Sequence, residues 1–489
     1  MIETILATLL GRKRSQPDSA GSGEATTSFA SRQRWGTVFG DRFVRMPVVR
    51  NRVPARVRPT LYFETLYNVG AGAFVAFMLL SPVVLKTVIG GTGAHLALLQ
   101  AMLGGSSLLS PLVSYLGRRL PMRTLVVAPN YLVCGLLIAT ALPLGGPLAF
   151  TLIIGMAFIV RVFPRVAEMN MYRVNYPPTC RGAAVGWVKA IAAISGLFIT
   201  LLGYWWISFL PDSYYAVYCL VGAVLFGSAF CYSRIPISRR SIFTADSKEL
   251  PHHAFVNGLK VFLADRRFVL YQFGFALAGF ANHMAIVFIA QVLADDVLGQ
   301  NALAAVMPAP IVALLTETWG LEKQTVVTLI VGLVCAALPM LLMMTSSLFW
   351  GRFLDRTNPM YGRAIFNTFQ CVAYACHAYG GLTLQVWPFV VGASLHAIGN
   401  GGGTINWLTG SLYFARHENV SLYNAIHVGL TGVRGMIAPA IGFYLYSASG
   451  MGLGSGIFWI ASTLSLLGGI VVLVQGMTDP GPREPAPET

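Results

Sequence analysis

Charge is what this sequence has least of. Only 11% of its 489 residues are Asp, Glu, Lys or Arg, and just 19 are acidic. A soluble chain of this length carries roughly 25% charged residues. The scarcity, together with 55% hydrophobic residues and a mean hydropathy of +0.65, excludes a soluble globule. Cysteine is thin as well: seven residues, mostly inside apolar runs and with no C-x-x-C spacing, so neither disulfides nor a metal site is expected. No nucleotide-binding loop, metal-ligand cluster or nucleophile constellation stands out, so neither an enzyme nor an ATP-driven pump is expected, and no cofactor is called for. The opening stretch IETILATLL lacks a basic residue before it and has Arg12, Lys13 and Arg14 after it, so a removable targeting segment is not expected.

What is there is a series of apolar runs. Crossing a hydrocarbon core of about 30 Å takes around 20 helical residues. Read against Gly, Pro and charge punctuation, the sequence predicts twelve transmembrane helices, starting near 62, 94, 124, 148, 183, 214, 267, 325, 363, 386, 420 and 453. The polar stretch 233–266 divides them six and six. The expected organisation is a basic arm over 1–60, a six-helix bundle over 61–232, a linker over 233–266, a second bundle over 267–476 and a tail over 477–489. Residues 1–60 carry eleven Lys or Arg and residues 233–267 seven, whereas the opposite connections offer only Lys86 and Lys323. Cationic segments resist translocation, which puts both termini in the cytoplasm of a multi-pass protein of the cytoplasmic (inner) membrane. The net charge of +15 then reflects topology and not nucleic-acid binding, with anionic lipid as a second role for the arm.

Sliding the second half onto the first at an offset of 236 aligns Asn170 with Asn406 and Gly196 with Gly432. After span 8, SSLFWGRFLDRTNPMYGR holds Gly351, Asp355, Arg356 and Arg363. This spacing resembles the G-x-x-x-D-R motif that the major facilitator superfamily repeats after spans 2 and 8. The first-half counterpart, PLVSYLGRRLPMR, keeps Arg118 and Arg119 but has Val113 for the glycine and Gly117 for the aspartate. The resemblance implies an all-α polytopic fold in two six-helix halves around a central cavity. It also implies a monomer whose halves rock around a small-molecule substrate near the midplane, possible proton coupling, and loop residues that latch the halves.

Charges inside the spans are the candidate site. At about 1.5 Å per residue from Pro147, Arg161 lies roughly 21 Å into span 4 and Arg165 about 27 Å. At 100° per residue, Arg161, Arg165, Glu168 and Tyr172 share one face, with Glu168 three residues from Arg165 and close enough to pair. An unpaired charge near the bilayer centre costs at least about 2.5 to 3.5 kcal/mol, so the face points into the bundle. Lys189 in span 5 and Arg434 in span 11 are buried by the same reckoning, and each buried cation belongs to one half only: Arg161 aligns with Ala397, Lys189 with Ala425, Arg434 with Phe198. Against them stand Glu64 and Glu168, an excess of cations that favours a carboxylate or phosphate substrate. A structural ion network is the competing reading. Of four histidines in spans, His283 and His396 are the best placed for a proton relay. HAIGNGGGTINW, residues 396–407, reads as close packing or a flexible point that would free Asn400, Thr404 and Asn406 for a ligand. The outer connection 295–324, with Pro308 and Pro310, is an interfacial segment or a lid.

The expected function is a secondary active transporter of a small anionic or amphiphilic solute. Two alternatives remain open: a non-transporting assembly, cofactor-delivery or sensing protein of the same fold, and an efflux pump for hydrophobic compounds.

Overall fold

An apolar run in lipid has no water to satisfy its backbone, so it must close its hydrogen bonds within itself, and a helix does this locally. In the computed structural model, every regular element among the described residues is helical. The structure describes residue 54 and residues 57–117, 120–142, 146–165, 167–168, 176, 178–235, 260, 262–354, 357–414, 420–479 and 481. The basic arm, most of the linker, the end of the tail, and Arg118, Arg119, Tyr172, Asp355 and Arg356 lie outside the described residues.

The helices are α1 Arg58–Val83, α2 Gly93–Gly105, α3 Ser110–Gly117, α4 Met122–Ala139, α5 Gly146–Val160, α6 Pro178–Phe209, α7 Tyr214–Ser233 and α8 Arg266–Gln291. Two short helices follow, α9 Leu303–Val306 and α10 Ala309–Ala313. Then come α11 Lys323–Gly332, α12 Leu338–Leu354, α13 Pro359–Thr383, α14 Trp387–Thr409, α15 Val420–Tyr446 and α16 Ile457–Thr478. Eight of the helical segments are long and apolar enough to cross a membrane, which makes this a multi-pass membrane protein. The segments expected as spans 2 and 3 are shorter apolar helices. Span 2 is interrupted by the 3₁₀ turn Ser106–Leu109, where Pro111 has no N–H to return to residue 107. Span 8 likewise passes through a π-turn, Leu333–Ala337, just before Pro339.

The described residues from Pro59 onward form one compact unit. Within it α4 packs on α5 and α7, and α13 packs on α14 and α16, while α2 crosses to α15 and α6 to α11 and α12. These crossings hold the first half of the chain to the second. On α2 and α15 they depend on glycine: a Cβ on Gly104 would stand 2.6 Å from the Cα of Gly435. In lipid, where no hydrophobic effect drives helices together, such backbone contact is what makes association favourable. At the end assigned to the outside by the Lys/Arg count, Lys86 Nζ reaches Asp295 Oδ2 at 2.7 Å. At the opposite end of the second half, Asp479 pairs with Arg267 and accepts from Tyr413 Oη at 2.5 Å and from Asn358 Nδ2 at 3.4 Å. Burial, and after it the hydrogen bond to Asp479, pushes the Tyr413 phenol up to about 12. Large apolar side chains such as Phe198, Trp205 and Leu466 stand exposed on the periphery, where lipid would cover them.

The glycine-rich run 396–407 lies inside the unbroken helix α14. A Cβ on Gly401 would meet Ser346 Oγ at 2.3 Å and one on Gly402 would meet Phe366 at 2.3 Å, so close packing on α12 and α13 accounts for the run, without loosening. The outer connection forms α9, α10 and the π-turn Leu314–Thr318, with Ile311, Leu314 and Trp319 exposed.

Candidate functional site

Two polar clusters occupy the interior, one in each half. In the first half, α1 presents Glu64, Tyr67 and Asn68 on successive turns of one face, all nearly inaccessible. Arg161, one residue past the end of α5, enters this cluster and sorts the bonding. Its Nη1 donates to Tyr67 Oη at 2.9 Å and to Asn130 Oδ1 at 3.2 Å, and lies 3.2 Å from Glu168 Oε1. Tyr67 in turn donates to Glu168. The guanidinium also sits 5.3 Å from the ring centre of Phe74. Glu64 accepts from the hydroxyl of Tyr176. A buried ion pair repays its desolvation only when extra hydrogen bonds complete it, and here Tyr67 and Asn130 do so.

This geometry corrects one expectation. Glu168 is paired with Arg161, seven residues away, and not with Arg165. Arg165 is exposed and leaves the first half altogether, its Cζ lying 4.7 Å over the ring of Trp407 on α14. The three described residues of the stripe therefore do not act as one face: Arg161 and Glu168 are buried against α1 and α4, and Arg165 turns toward the second half. Lys189, also exposed, stands on α6 within electrostatic reach of Glu168, Arg161, Arg165 and Glu64.

In the second half the centre is the ring of Phe275 on α8. The guanidinium of Arg434 lies 4.4 Å from its centroid and that of Arg363 lies 3.9 Å from it. Arg434 donates from Nη1 to the backbone oxygen of Phe275 at 3.1 Å and from Nη2 to Thr431 Oγ1 at 3.2 Å. Its path requires Gly279, because a Cβ there would stand 2.4 Å from Arg434 Cζ. Both arginines are more than nine-tenths buried, and the Nε of each donates to no group among the described residues. No carboxylate among the described residues forms an ion pair with either one. Thr431 also accepts from the indole of Trp407 at 3.3 Å, so a chain of contacts runs from Arg165 through Trp407 and Thr431 to Arg434.

Arg363 is the second correction. Expected as a loop residue of the conformational motif, it is buried within α13 and belongs to this interior cluster, while Gly351 lies on α12. Asn406 is engaged within the protein: Oδ1 accepts from Tyr271 at 2.9 Å and Nδ2 donates to the backbone of Pro359 at 2.8 Å. His283 contacts Gln100 of α2 at 3.3 Å, across the halves. His396 is buried beside Tyr374, with ring centres 5.5 Å apart and neither ring nitrogen partnered among the described residues. Sequence reasoning missed Tyr67, Asn130, Tyr176, Phe275, Trp407 and Thr431, because neutral polar and aromatic residues carry no distinguishing signal within a span. It also missed the interior role of Arg363. The available signal was its place one turn past Pro359, inside an apolar run.

Among solved structures, the chain is similar to a point mutant of the nucleoside transporter NupG, with 14% identity and a TM-score of 0.60 over 86% of this chain and 99% of that one. It is also similar to the xylose transporter XylE from E. coli in a partially occluded inward-open conformation, with 13% identity and a TM-score of 0.56 over 85% and 97%. A third match is a bacterial homologue of the human drug peptide transporters PepT1 and PepT2, with 10% identity and a TM-score of 0.60 over 85% and 98%. The chain has the major facilitator fold. No protein-family model and no curated sequence matches it, so the likeness establishes the fold and leaves the solute to the site. The two clusters lie one in each half of that fold.

Proposed function

We propose that the protein is a secondary active transporter that carries a small anionic solute across the cytoplasmic membrane by alternating access, with protons as the coupling ion. Its two halves are residues 61–232 and 267–476, joined by the linker 233–266. Both termini are cytoplasmic, the protein works as a monomer, and the basic arm 1–60 rests on anionic lipid.

One observation carries this reading. Among the described residues, the buried cations Arg161, Arg363 and Arg434 face two interior carboxylates of the membrane helices, Glu64 and Glu168, and Arg161 already takes Glu168. Buried cations that outnumber their counter-charges are stabilised by an anion that enters from water, because the anion offsets their desolvation. Glu64, held by a tyrosine hydroxyl and forming no ion pair among the described residues, is the group suited to take up and release a proton. Lys86–Asp295 at one end and Arg165–Trp407 at the other link the halves, so each must part for its own end to open.

A thermal-shift panel on the detergent-purified chain tests the reading, using organic anions, phosphate esters, neutral sugars and lipophilic cations. A specific ligand at 100 times its Kd adds about 2.7 kcal/mol. Stabilisation by an anion class, reduced in Arg434→Ala, is expected; stabilisation by lipophilic cations alone would overturn the proposal. In proteoliposomes, Glu64→Gln should retain solute exchange and lose uptake driven by a pH gradient.

A further inference from the structure

The first-half cluster has its own carboxylates, whereas the second-half cluster has two guanidinium groups stacked on one aromatic ring and, among the described residues, no carboxylate paired with them. That asymmetry assigns a ligand position. We infer that Arg363 and Arg434, both in contact with the ring of Phe275, form a paired-guanidinium site for a doubly charged oxyanion. The inference rests on the anion-transport reading and names both the site and the charge class.

Three observations support it. Arg363 and Arg434 come from different helices, α13 and α15, yet both guanidinium groups reach the same ring, at 3.9 and 4.4 Å, despite carrying like charge. Two unshielded like charges this close repel, and in a low-dielectric interior the repulsion is large. A helix that merely needed filling at this point would place an apolar side chain there. Second, the bonds Arg434 makes within the protein use Nη1 and Nη2 and, among the described residues, leave its Nε–H without a partner, and the Nε–H of Arg363 likewise has none among them. A planar guanidinium presents Nε–H and one Nη–H as a fork that matches two oxygens of a carboxylate or phosphate. Third, the neighbours are acceptors or neutral groups already in use. The backbone of Phe275 and Thr431 Oγ1 accept from Arg434, Tyr271 bonds Asn406, and Gln272 bonds His427 at 2.9 Å. Nothing among them supplies the missing negative charge. Two cations call for two negative charges, so a dicarboxylate or a phosphate monoester fits, and a monocarboxylate would satisfy one arginine only.

The wiring to the other half gives the site a consequence. Arg434 Nη2 donates to the same Thr431 hydroxyl that receives the indole N–H of Trp407, and Trp407 carries Arg165 on its ring. An anion that draws the Arg434 fork toward itself competes with Thr431 for Nη2, and the loss is felt at a contact between the halves.

Binding to the full chain in detergent is measured by isothermal titration with succinate, glycerol 3-phosphate, acetate and glycerol, for wild type, Arg363→Gln, Arg363→Lys and Arg434→Gln. Succinate or glycerol 3-phosphate is expected to bind at least tenfold tighter than acetate, and glycerol not at all; which dianion wins separates carboxylate from phosphate. Each Gln variant should weaken the dianion at least tenfold while changing acetate binding less, and Arg363→Lys should keep part of the affinity, since it keeps charge without the fork. A dianion that binds wild type and Arg363→Gln equally well would overturn the paired site and leave anion transport standing. If no anion binds wild type, both fall. Should Arg363→Gln fail to fold, an Arg363→Lys variant with unchanged preference for dianion over acetate would overturn the fork geometry by itself.

Discussion

The two halves of this molecule treat buried charge in opposite ways. In the first half, Arg161 is surrounded by groups that complete it: Glu168 in ion-pair contact, and Tyr67 and Asn130 in hydrogen bonds. In the second half, Arg434 has a backbone oxygen, a threonine hydroxyl and the ring of Phe275, and Arg363 has that ring. A network closed on itself holds helices in place. A network that is all donor has its negative member elsewhere, and on the function proposed above that member is the cargo. The difference separates a supporting charge from a working one more clearly than depth in the membrane does, because both arginines are about equally buried.

The largest effect that tests this contrast is on stability. Arg161→Ala would leave Glu168 buried with Tyr67 alone, and removing one partner of a buried pair costs about 3 to 5 kcal/mol. Thermal unfolding in detergent should show a large fall for Arg161→Ala, and Arg434→Ala, which strips no carboxylate of its partner, should lose about 1 to 2 kcal/mol or less. If the two variants melt together, the contrast between the halves collapses.

Gly279→Ala comes next. Its new Cβ would meet Arg434 Cζ at 2.4 Å, so the guanidinium must move off α8. Overpacking at one site costs roughly 1 to 3 kcal/mol, but the anion site loses its geometry. Anion affinity should therefore drop at least tenfold in a chain that still inserts, read by titration beside a melting curve. Trp407→Ala is milder. It removes the ring under Arg165, a contact worth about 0.5 to 2 kcal/mol, and should shift the halves apart at that end, measured as a longer distance between spin labels on the ends of α5 and α14.

How much of this could be read from the sequence depends on the kind of residue. The apolar runs, the bias of Lys and Arg, and the Gly351-to-Arg356 spacing pointed to the fold, because membrane thickness and charge asymmetry act on composition directly. Arg161, Glu168 and Arg434 were conspicuous for the same reason: a charge inside a run of Leu, Val and Gly is costly wherever it points. Their partners were not. That Glu168 belongs to Arg161 and not to Arg165 depends on how α1 and α4 bring Tyr67 and Asn130 to the end of α5, a tertiary fact that helical spacing cannot supply. Arg363 was hidden by its position, since a residue four past the start of a helix after a basic loop reads as part of that loop until the fold sets it on Phe275.

The smallest effect concerns the contact at the far end. Lys86 and Asp295 join the halves at 2.7 Å, but both side chains are partly exposed, and pairs of that kind contribute about 0 to 1 kcal/mol and weaken with salt. Asp296 is next in the chain and keeps negative charge near Lys86 when Asp295 is neutralised. Asp295→Asn should accordingly leave the melting temperature nearly unchanged and favour the conformer open at that end by about twofold, an effect that fades at high salt. A stability loss as large as that of Arg161→Ala would mean that this exposed pair clamps the halves as firmly as the buried network does. The division into closed and open charge clusters would then have to be drawn between the ends of the molecule and not between its halves.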